Sequence, residues 1–430
     1  MSNIRTCNQD YPEIVNKNCA GIDVHRDFVS VTQIIETDQH QLLSDYREFR
    51  TVKKELLKMR DWLVDSGCTA VGLESTGKYW FPVHNVLEGE VDVKVYNARH
   101  MKNIPGKKTD KADSAWIAKI TRNDLLQSSY IPEKQIRDAR LLSRMRKSLV
   151  QIRSQIRQMI LGTYDAAGIK LSSVVSDVFG TSGRNLTDLL LNREIITEEK
   201  VIDAVYGPLC NRAAELMSAM DGYMRDTHIY VISTYLKMEN QLSDQIKQIE
   251  ARLHTFLIDT TWKKELLERI IGIPGFTERS ALLLISEIGY DLKTFSNEKK
   301  FCSWAGLAPG KNESAGKNRS GKIQVRQRYL RALMIEVALS ATRCKDTYIK
   351  TKYSMLKNRI GGKKAVVAIA HCLAKAIYRA IKDGMEYKEL TSDYVSKVQR
   401  NRDVNNLTRL TNRMGKDTII ELVNALGGHI

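Results

Sequence analysis

Residues 19–35 read CAGIDVHRDFVSVTQII, two apolar runs separated by a short polar gap. Runs of this length predict β-strands, and the gap suits a hairpin. The next apolar runs, at 69–74 and 91–96, are separated by helix-like segments, the first of which covers about 53–64; this predicts parallel strands joined through helices. Residues 19–131 are therefore expected to form a mixed α/β domain.

Apolar residues recur at three-four spacing in two later stretches, a pattern typical of coiled-coil helices. The first stretch contains Leu142, Met145, Leu149, Ile152, Ile156 and Met159. The second contains Ile232, Tyr235, Leu242, Ile246, Ile249, Leu253 and Phe256, with Glu239 as its polar interruption. Residues 132–261 are predicted to be a helical coiled-coil segment, and the pattern fits a helical hairpin inside one subunit as well as contacts between subunits.

Residues 262–385 are predicted to be a third, mainly helical domain. It begins with two apolar helices that flank Gly272-Ile-Pro-Gly275. This arrangement resembles a helix-hairpin-helix element, whose turn lets backbone N–H groups approach a phosphate, but the same turn is common as a tight connection. Residues 386–430 form a tail of unknown role that contains a short amphipathic run.

The chain is strongly basic, with 67 Lys and Arg against 50 Asp and Glu among 430 residues, a formal net charge of +17. A polyanionic partner such as nucleic acid is the leading expectation. No membrane span is expected, because the apolar stretches are far shorter than the roughly 20 residues that a spanning helix needs. The seven scattered cysteines and the polar N-terminus favour a cytoplasmic protein without disulfides or a secretory signal.

Four acidic residues lie where a metal site would need them. Asp23 lies inside the first predicted strand, and Glu74 ends a later one. Asp110 and Asp113 are one helical turn apart, so they project from one helix face. A hairpin followed by βα units is the outline of an RNase H-like sheet, on which these carboxylates predict a Mg²⁺ site, since burying them without a cation is expensive. Singly, each acid has a structural alternative as a turn former, an ion-pair partner of Lys78 or a helix cap.

A Gly-rich polar loop after residue 304 contains Ser314 in the sequence ESAGK. A serine hydroxyl between small neighbours is a chemically reasonable nucleophile toward a phosphate, although a serine beside glycine is more often only a loop residue. From residue 314 to 335 there are six cations and no acid, which predicts contact with phosphates. These cations are Lys317, Arg319, Lys322, Arg326, Arg328 and Arg331.

A second basic stretch, the predicted helix 134–157, carries eight cations against the single acid Asp138. The cations expected on the face opposite the apolar residues are Arg137, Arg140, Arg144 and Lys147. A charge run is usually a solvated face, but this asymmetry favours a polyanion.

The chain also contains a set of short motifs that are specific in combination. They are GIDVH at 21–25, LESTG at 73–77, NAR at 97–99, KTDKAD at 108–113, IPG at 273–275, WAGLAPG at 304–310 and ESAGK at 313–317. With these motifs the chain resembles the insertion-sequence-110 family of DEDD transposases, over roughly residues 19–385.

The resemblance implies a RuvC-like N-terminal domain and a helical transposase domain. The acidic tetrad matches Asp23, Glu74, Asp110 and Asp113, and the catalytic serine, which forms a covalent phosphoserine link, matches Ser314. The implied partners are donor and target DNA, a structured bridge RNA encoded by the element, and further copies of the chain. Two protomers are expected to build each active site, so a dimer or tetramer is expected, associated with the bacterial nucleoid.

Two other functions fit the same residues. A Mg²⁺-dependent junction-resolving or simple nuclease would use the acids to activate water and leave Ser314 as a bystander. A non-catalytic nucleic-acid scaffold would use the basic helix, with the acids as caps or ion-pair partners. Covalent trapping separates the first from a recombinase, and metal dependence separates the second.

Overall fold

The computed structural model of the protein describes residues 14–75, 77–97, 110–308, 313–314, 317–318, 327–345 and 347–389, and of the tail 400, 404, 406, 408–415, 418 and 420–421. The chain divides into two compact units, Met1–Ile131 and Pro132–Ile430, with separate apolar cores. Within the described ranges, none of the helices is both long and apolar enough to cross a membrane.

The N-terminal unit contains a five-stranded mixed sheet with the strand order β3-β2-β1-β4-β5. The strands are β1 (Asn18–Val24), β2 (Phe28–Glu36), β3 (Leu42–Arg50), β4 (Ala70–Glu74) and β5 (Asp92–Tyr96). Strand β1 pairs antiparallel with β2 and parallel with β4, and β4 pairs parallel with β5. The predicted hairpin and parallel strands are confirmed, and the topology is compatible with an RNase H-like domain.

Three described helices accompany the sheet: α1 (Lys53–Asp65), α2 (Trp80–Leu87) and α3 (Asp110–Arg122). Helix α3 lies against the sheet at two glycines. A Cβ added to Gly21 of β1 would lie 2.1 Å from the Ala118 nitrogen, and one added to Gly72 of β4 would lie 2.0 Å from Thr121 Oγ1. Only glycine therefore permits this close approach of the helix to the strands.

The C-terminal unit consists mainly of helices. They are α4 (Lys134–Ala166), α5 (Leu171–Val174), α6 (Thr181–Leu191), α7 (Glu198–Ala204), a 3₁₀ helix (Gly207–Arg212), α8 (Ala213–Met220), α9 (Asp226–Leu257), α10 (Thr261–Ile271), α11 (Glu278–Ile288), α12 (Glu298–Trp304), α13 (Arg328–Ala341), α14 (Tyr348–Ile360) and α15 (Gly362–Lys382). Two short strands, β6 (Glu313–Ser314) and β7 (Lys317–Asn318), pair antiparallel.

The long helices α4 and α9 pack against each other within the chain. Gln135, near the start of α4, donates a hydrogen bond to the Phe256 carbonyl oxygen near the end of α9. Farther along α4, Arg157 bonds to Glu239, so the helices run antiparallel. Of the apolar residues predicted on α4, the packed ones are Leu142, Leu149 and Ile156, and the exposed ones are Met145, Ile152 and Met159. The two helices therefore pair within one subunit, across the intervening residues 167–225, and the coiled coil and the contacts between subunits stay predictions.

Glu239 is a fully buried carboxylate in this helical pair. It accepts hydrogen bonds from Arg157 at 2.7 and 2.9 Å and from Arg184 at 2.5 Å. Burial alone would raise the pKa of Glu239, but the two guanidinium groups outweigh burial and hold this pKa below its usual value. The carboxylate is therefore ionised in the folded protein at neutral pH.

A Glu239→Gln variant is expected to lose about 2 kcal/mol of unfolding free energy at neutral pH, because charge-assisted hydrogen bonds to two arginines are lost. Since the pKa is lowered on folding, this stabilisation is complete above the unfolded pKa and is lost as the pH falls through the folded pKa. Urea unfolding should therefore separate variant and wild type at neutral pH and not in strong acid. Glu265→Gln, at an exposed site, is the control. An equal loss at both pH values would assign the effect to packing.

Candidate active site

Two of the predicted acids lie side by side on adjacent parallel strands. Ile22 of β1 is in register with Leu73 of β4, so the next residues, Asp23 and Glu74, are neighbours at the carboxyl ends of these strands. Ile22 and Val24 are buried, and the Asp23 side chain, which points to the other face, is 14% exposed. Asp23 is thus held at the border between the sheet and solvent.

The first turn of α3 carries the other two acids to the same end of the sheet. The buried Ser114 hydroxyl lies 2.7 Å from the Thr32 hydroxyl of β2, which fixes the start of the helix on the sheet together with the contact at Gly21. Asp110 and Asp113 are both exposed. Their charges also interact favourably with the positive end of the helix dipole.

His25 joins this cluster, although the sequence analysis did not propose it as a site residue. Its Nε2 atom lies 3.1 Å from Asp23 Oδ2 and 3.3 Å from Asp110 Oδ1. Its ring stacks on Phe28 with the centroids 4.6 Å apart. The signals in the sequence are its position, two residues after Asp23, and its place as the last residue of the GIDVH motif.

The pKa of Asp23 reflects both its burial and the negative charges of the carboxylates around it. Burial raises the pKa of Asp23, His25 acts in the opposite direction, and the charges of Asp113, Glu74 and Asp110 raise it further. One ligand atom from each of Asp23, His25 and Asp110 fits within a mutual distance of 4.8 Å. Crowded oxygen donors of this kind fit a hard divalent cation, which would relieve their mutual repulsion. The name "acidic site" is used below for Asp23, Glu74, Asp110 and Asp113.

Ser314 lies in the short β-hairpin of the C-terminal unit. In its register Ser314 of β6 is opposite Lys317 of β7. Arg319, Lys322 and Arg326, predicted to contact phosphates, lie outside the described residues. The roles of Ser314 and Lys317 stay predictions.

Two of the cations predicted on the basic face of α4 bind an acid of α11. Arg144 donates to both carboxylate oxygens of Glu287 at 3.2 Å, and Arg140 donates to the Glu287 carbonyl oxygen. Arg137 donates to the carbonyl oxygen of Pro132 at 2.9 Å. The buried Glu287 carboxylate thus faces the guanidinium groups of Arg140 and Arg144. Because two positive charges meet one negative charge, the three side chains together keep a net positive charge.

An aromatic ring lies beside the same face of α4. The Arg144 guanidinium lies 4.6 Å and the Lys147 ammonium 5.1 Å from the centroid of Tyr329 on α13. Arg328, the first residue of α13, is exposed. The structure therefore brings Arg144, Lys147 and Arg328 to the same part of the C-terminal unit.

Comparison with known families gives two matches. Residues 20–166 match the DEDD transposase model of IS110 elements, and residues 267–354 match a model described as "Transposase IS116/IS110/IS902 family". Together the matches cover more than half of the chain. The acidic site lies within the first match and Ser314 within the second. No curated protein matches the chain.

Proposed function

The chain belongs to the IS110 family of transposases, and on this premise we propose that it is an RNA-guided DNA recombinase that uses the acidic site and Ser314. Membership of the family makes it an enzyme of an insertion sequence that cuts and rejoins DNA. The serine chemistry, the Mg²⁺ cofactor and the guide RNA are the proposed parts. The observation that carries the proposal is the convergence of Asp23, Glu74 and the first turn of α3 at one end of the sheet.

The residues proposed to hold Mg²⁺ are the four of the acidic site. Carboxylate oxygens are the donors that Mg²⁺ prefers. Burial first, and then the charges of the neighbouring carboxylates, raise the pKa of Asp23, and a bound cation would compensate both effects. When bound, the cation would supply positive charge for a scissile phosphate. The protein's own contribution is rigidity, because two strands and a helix seated on glycine fix the carboxylates before DNA arrives.

Ser314 is proposed to attack the scissile phosphorus. A bond from Ser314 Oγ to phosphorus forms, the bond from phosphorus to a deoxyribose oxygen breaks, and the proton that the serine hydroxyl loses is balanced by the one that the departing oxygen takes up. Attack by the hydroxyl of another DNA strand on the phosphoserine completes the exchange: a new bond from phosphorus to a deoxyribose oxygen forms, the bond from phosphorus to Ser314 Oγ breaks, and the serine oxygen regains a proton. Because one phosphodiester bond replaces another, strands are rejoined without an external energy source.

The nucleic acids are proposed to lie along the basic surface of the C-terminal unit, consistent with the net charge of +17. Its described cations include Arg137, Arg140, Arg144, Lys147 and Arg328. The division into domains at 19–131, 132–261, 262–385 and 386–430, the homo-oligomer and the cytoplasmic, nucleoid-associated location are parts of the same proposal. The exposed Met145, Ile152 and Met159 offer an apolar stripe for contacts between subunits.

The test is covalent trapping of DNA on the purified protein. Protein, Mg²⁺, the RNA encoded beside the element and DNA with the element junction are combined and run on a denaturing gel. We expect an adduct that both Ser314→Ala and Asp23→Ala abolish and that Ser303→Ala, at an exposed serine of α12, retains.

Two outcomes would contradict the proposal. Cleaved ends without an adduct, unchanged in Ser314→Ala and lost in Asp23→Ala, would identify a nuclease that uses water. Full biological activity of Asp23→Ala would favour a non-catalytic scaffold. Omitting the RNA tests guidance separately, because target choice should then be lost.

A further inference from the structure

His25 is placed beside the acidic site by two independent restraints. Its backbone nitrogen donates a hydrogen bond to the Phe28 carbonyl oxygen at 3.0 Å, which closes the turn between β1 and β2. Its ring stacks on the Phe28 ring, with the planes 26° apart. The imidazole is therefore held in one orientation, with Nε2 directed at Asp23 and Asp110.

The distances around Nε2 are those of ligands that share a cation. Two ligands at right angles around an ion, each about 2.1 Å from it, lie about 3.0 Å from each other. Nε2 lies 3.1 Å from one carboxylate oxygen and 3.3 Å from the other. The same distances are hydrogen-bond distances when Nε2 carries a proton. The geometry alone therefore leaves two roles for His25: hydrogen-bond donor to the two carboxylates, or ligand of a cation that they share.

His40, another described histidine of this unit, makes a simple hydrogen bond to an acid and serves for comparison. His40 Nδ1 lies 2.9 Å from Oε1 of Glu36, a residue close to it in the sequence, and the His40 side chain is 81% exposed. His25 instead reaches two carboxylates from different elements, β1 and α3, and its side chain is 39% exposed. Convergence of donors from β1, from the turn that follows it and from α3 is the arrangement of a ligand set.

We propose that His25 Nε2 is a ligand of the divalent cation at the acidic site, which makes it a mixed carboxylate–imidazole site that favours Mn²⁺ over Mg²⁺. The inference rests on the proposed function, because it concerns the same cation. Nitrogen donors add more to the affinity for Mn²⁺ and the later transition metals than to that for Mg²⁺, which prefers oxygen. Coordination requires the tautomer with its proton on Nδ1.

The test uses the full-length protein and metal alone, with no DNA. Electron paramagnetic resonance counts free Mn²⁺ during a titration, and competition with Mg²⁺ gives the second affinity. His25→Gln should weaken Mn²⁺ binding about tenfold and change Mg²⁺ binding by less than about threefold, as expected for loss of a nitrogen donor. His40→Gln is the matched control and should leave both affinities unchanged.

A spectroscopic measurement keeps the test independent of folding of the variant. Electron spin echo envelope modulation of Mn²⁺ bound to the unmutated protein should show coupling to ¹⁴N, replaced by ¹⁵N coupling after selective labelling of histidine. Absence of nitrogen coupling would overturn the inference, as would unchanged Mn²⁺ affinity in a folded His25→Gln protein.

A further variant separates this inference from the proposed function. If Asp23→Ala abolishes Mn²⁺ binding while the wild type shows no nitrogen coupling, the acidic site stands and His25 is only a hydrogen-bond partner. If Asp23→Ala and Asp110→Ala both bind Mn²⁺ as the wild type does, the proposed metal site itself is wrong, and the inference falls with it.

Discussion

A Gly21→Ala protein is expected to lose the folded N-terminal unit, with an unfolding free energy at least about 3 kcal/mol below that of the wild type. The added Cβ would lie 2.1 Å from the Ala118 nitrogen and 2.2 Å from the Ser114 carbonyl oxygen. Both are main-chain atoms of α3, so no side-chain rotation relieves the overlap and the helix has to leave the strand. Since α3 carries Asp110 and Asp113, binding of divalent cations should be lost as well.

Far-UV circular dichroism during heating and Mn²⁺ titration measure the two effects on one sample. Gly72→Ala should also destabilise the unit, but by less, because the three atoms nearest its added Cβ are side-chain atoms, of Thr121, Tyr96 and Ile117, and not main-chain atoms. Gly162→Ala is the matched control: nothing lies within 4 Å of its Cβ position in α4, and alanine is favoured over glycine in a helix by about 1 kcal/mol. Melting and metal binding like the wild type in Gly21→Ala would show that α3 does not contact β1 as described.

The central strands of the sheet were predictable because they are buried. Strands β1, β2 and β4 have almost only buried residues, so they appear in the sequence as apolar runs bounded by polar turns. The edge strand β3 was not predicted. Its sequence, LLSDYREFR, has no buried residue, and it is a strand because its backbone pairs with β2 along its whole length. A strand held by backbone pairing alone needs no alternation of apolar and polar residues, so its sequence does not indicate a strand.

The sequence pointed to the four acids that the structure brings together at one end of the sheet, but not to His25 or to the contacts within the cluster. Carboxylates at strand ends and at one helical turn are visible in the sequence, whereas the approach of His25 to Asp110 depends on where α3 rests on the sheet. The same holds for the basic face of α4. Arg144 was predicted to face a polyanion, and nothing local in the sequence indicates its bond to Glu287, 143 residues away. Long-range pairing of charges is set by packing, not by pattern.

Asp23→Asn is expected to stabilise the metal-free protein while it abolishes recombination. Burial raises the pKa of the Asp23 carboxyl, and the neighbouring carboxylates act in the same direction against His25. A carboxyl whose pKa is raised on folding favours the folded state below its unfolded pKa, and this contribution is lost as the pH rises through the folded pKa. At neutral pH the ionised carboxylate is therefore unfavourable without a cation. The amide carries no charge, and we therefore expect a higher Tm for the metal-free variant than for the wild type.

The measurement is thermal unfolding in EDTA at neutral pH and again below the usual pKa of aspartate, where the Asp23 carboxyl is protonated in the folded and the unfolded wild type and the difference should shrink. Asp27→Asn, in the turn that follows β1 and with an 88% exposed side chain, is the matched control and should melt as the wild type does. A lower Tm for Asp23→Asn in EDTA would contradict the raised pKa.

Added metal should reverse the order of the two proteins, because only the wild type can use all four carboxylates. With the cation at about 100 times its Kd, binding adds about 2.7 kcal/mol to the stability of the wild type. Strand exchange by Asp23→Asn should fall at least about 10³-fold, the scale of losing one preorganised electrostatic group at a reacting phosphate. The charge that makes the metal-free protein less stable is thus the charge proposed to bind the cation. A stabilised variant that is inactive would place Asp23 in the site for chemistry, since a carboxylate kept for the fold alone would show the opposite sign.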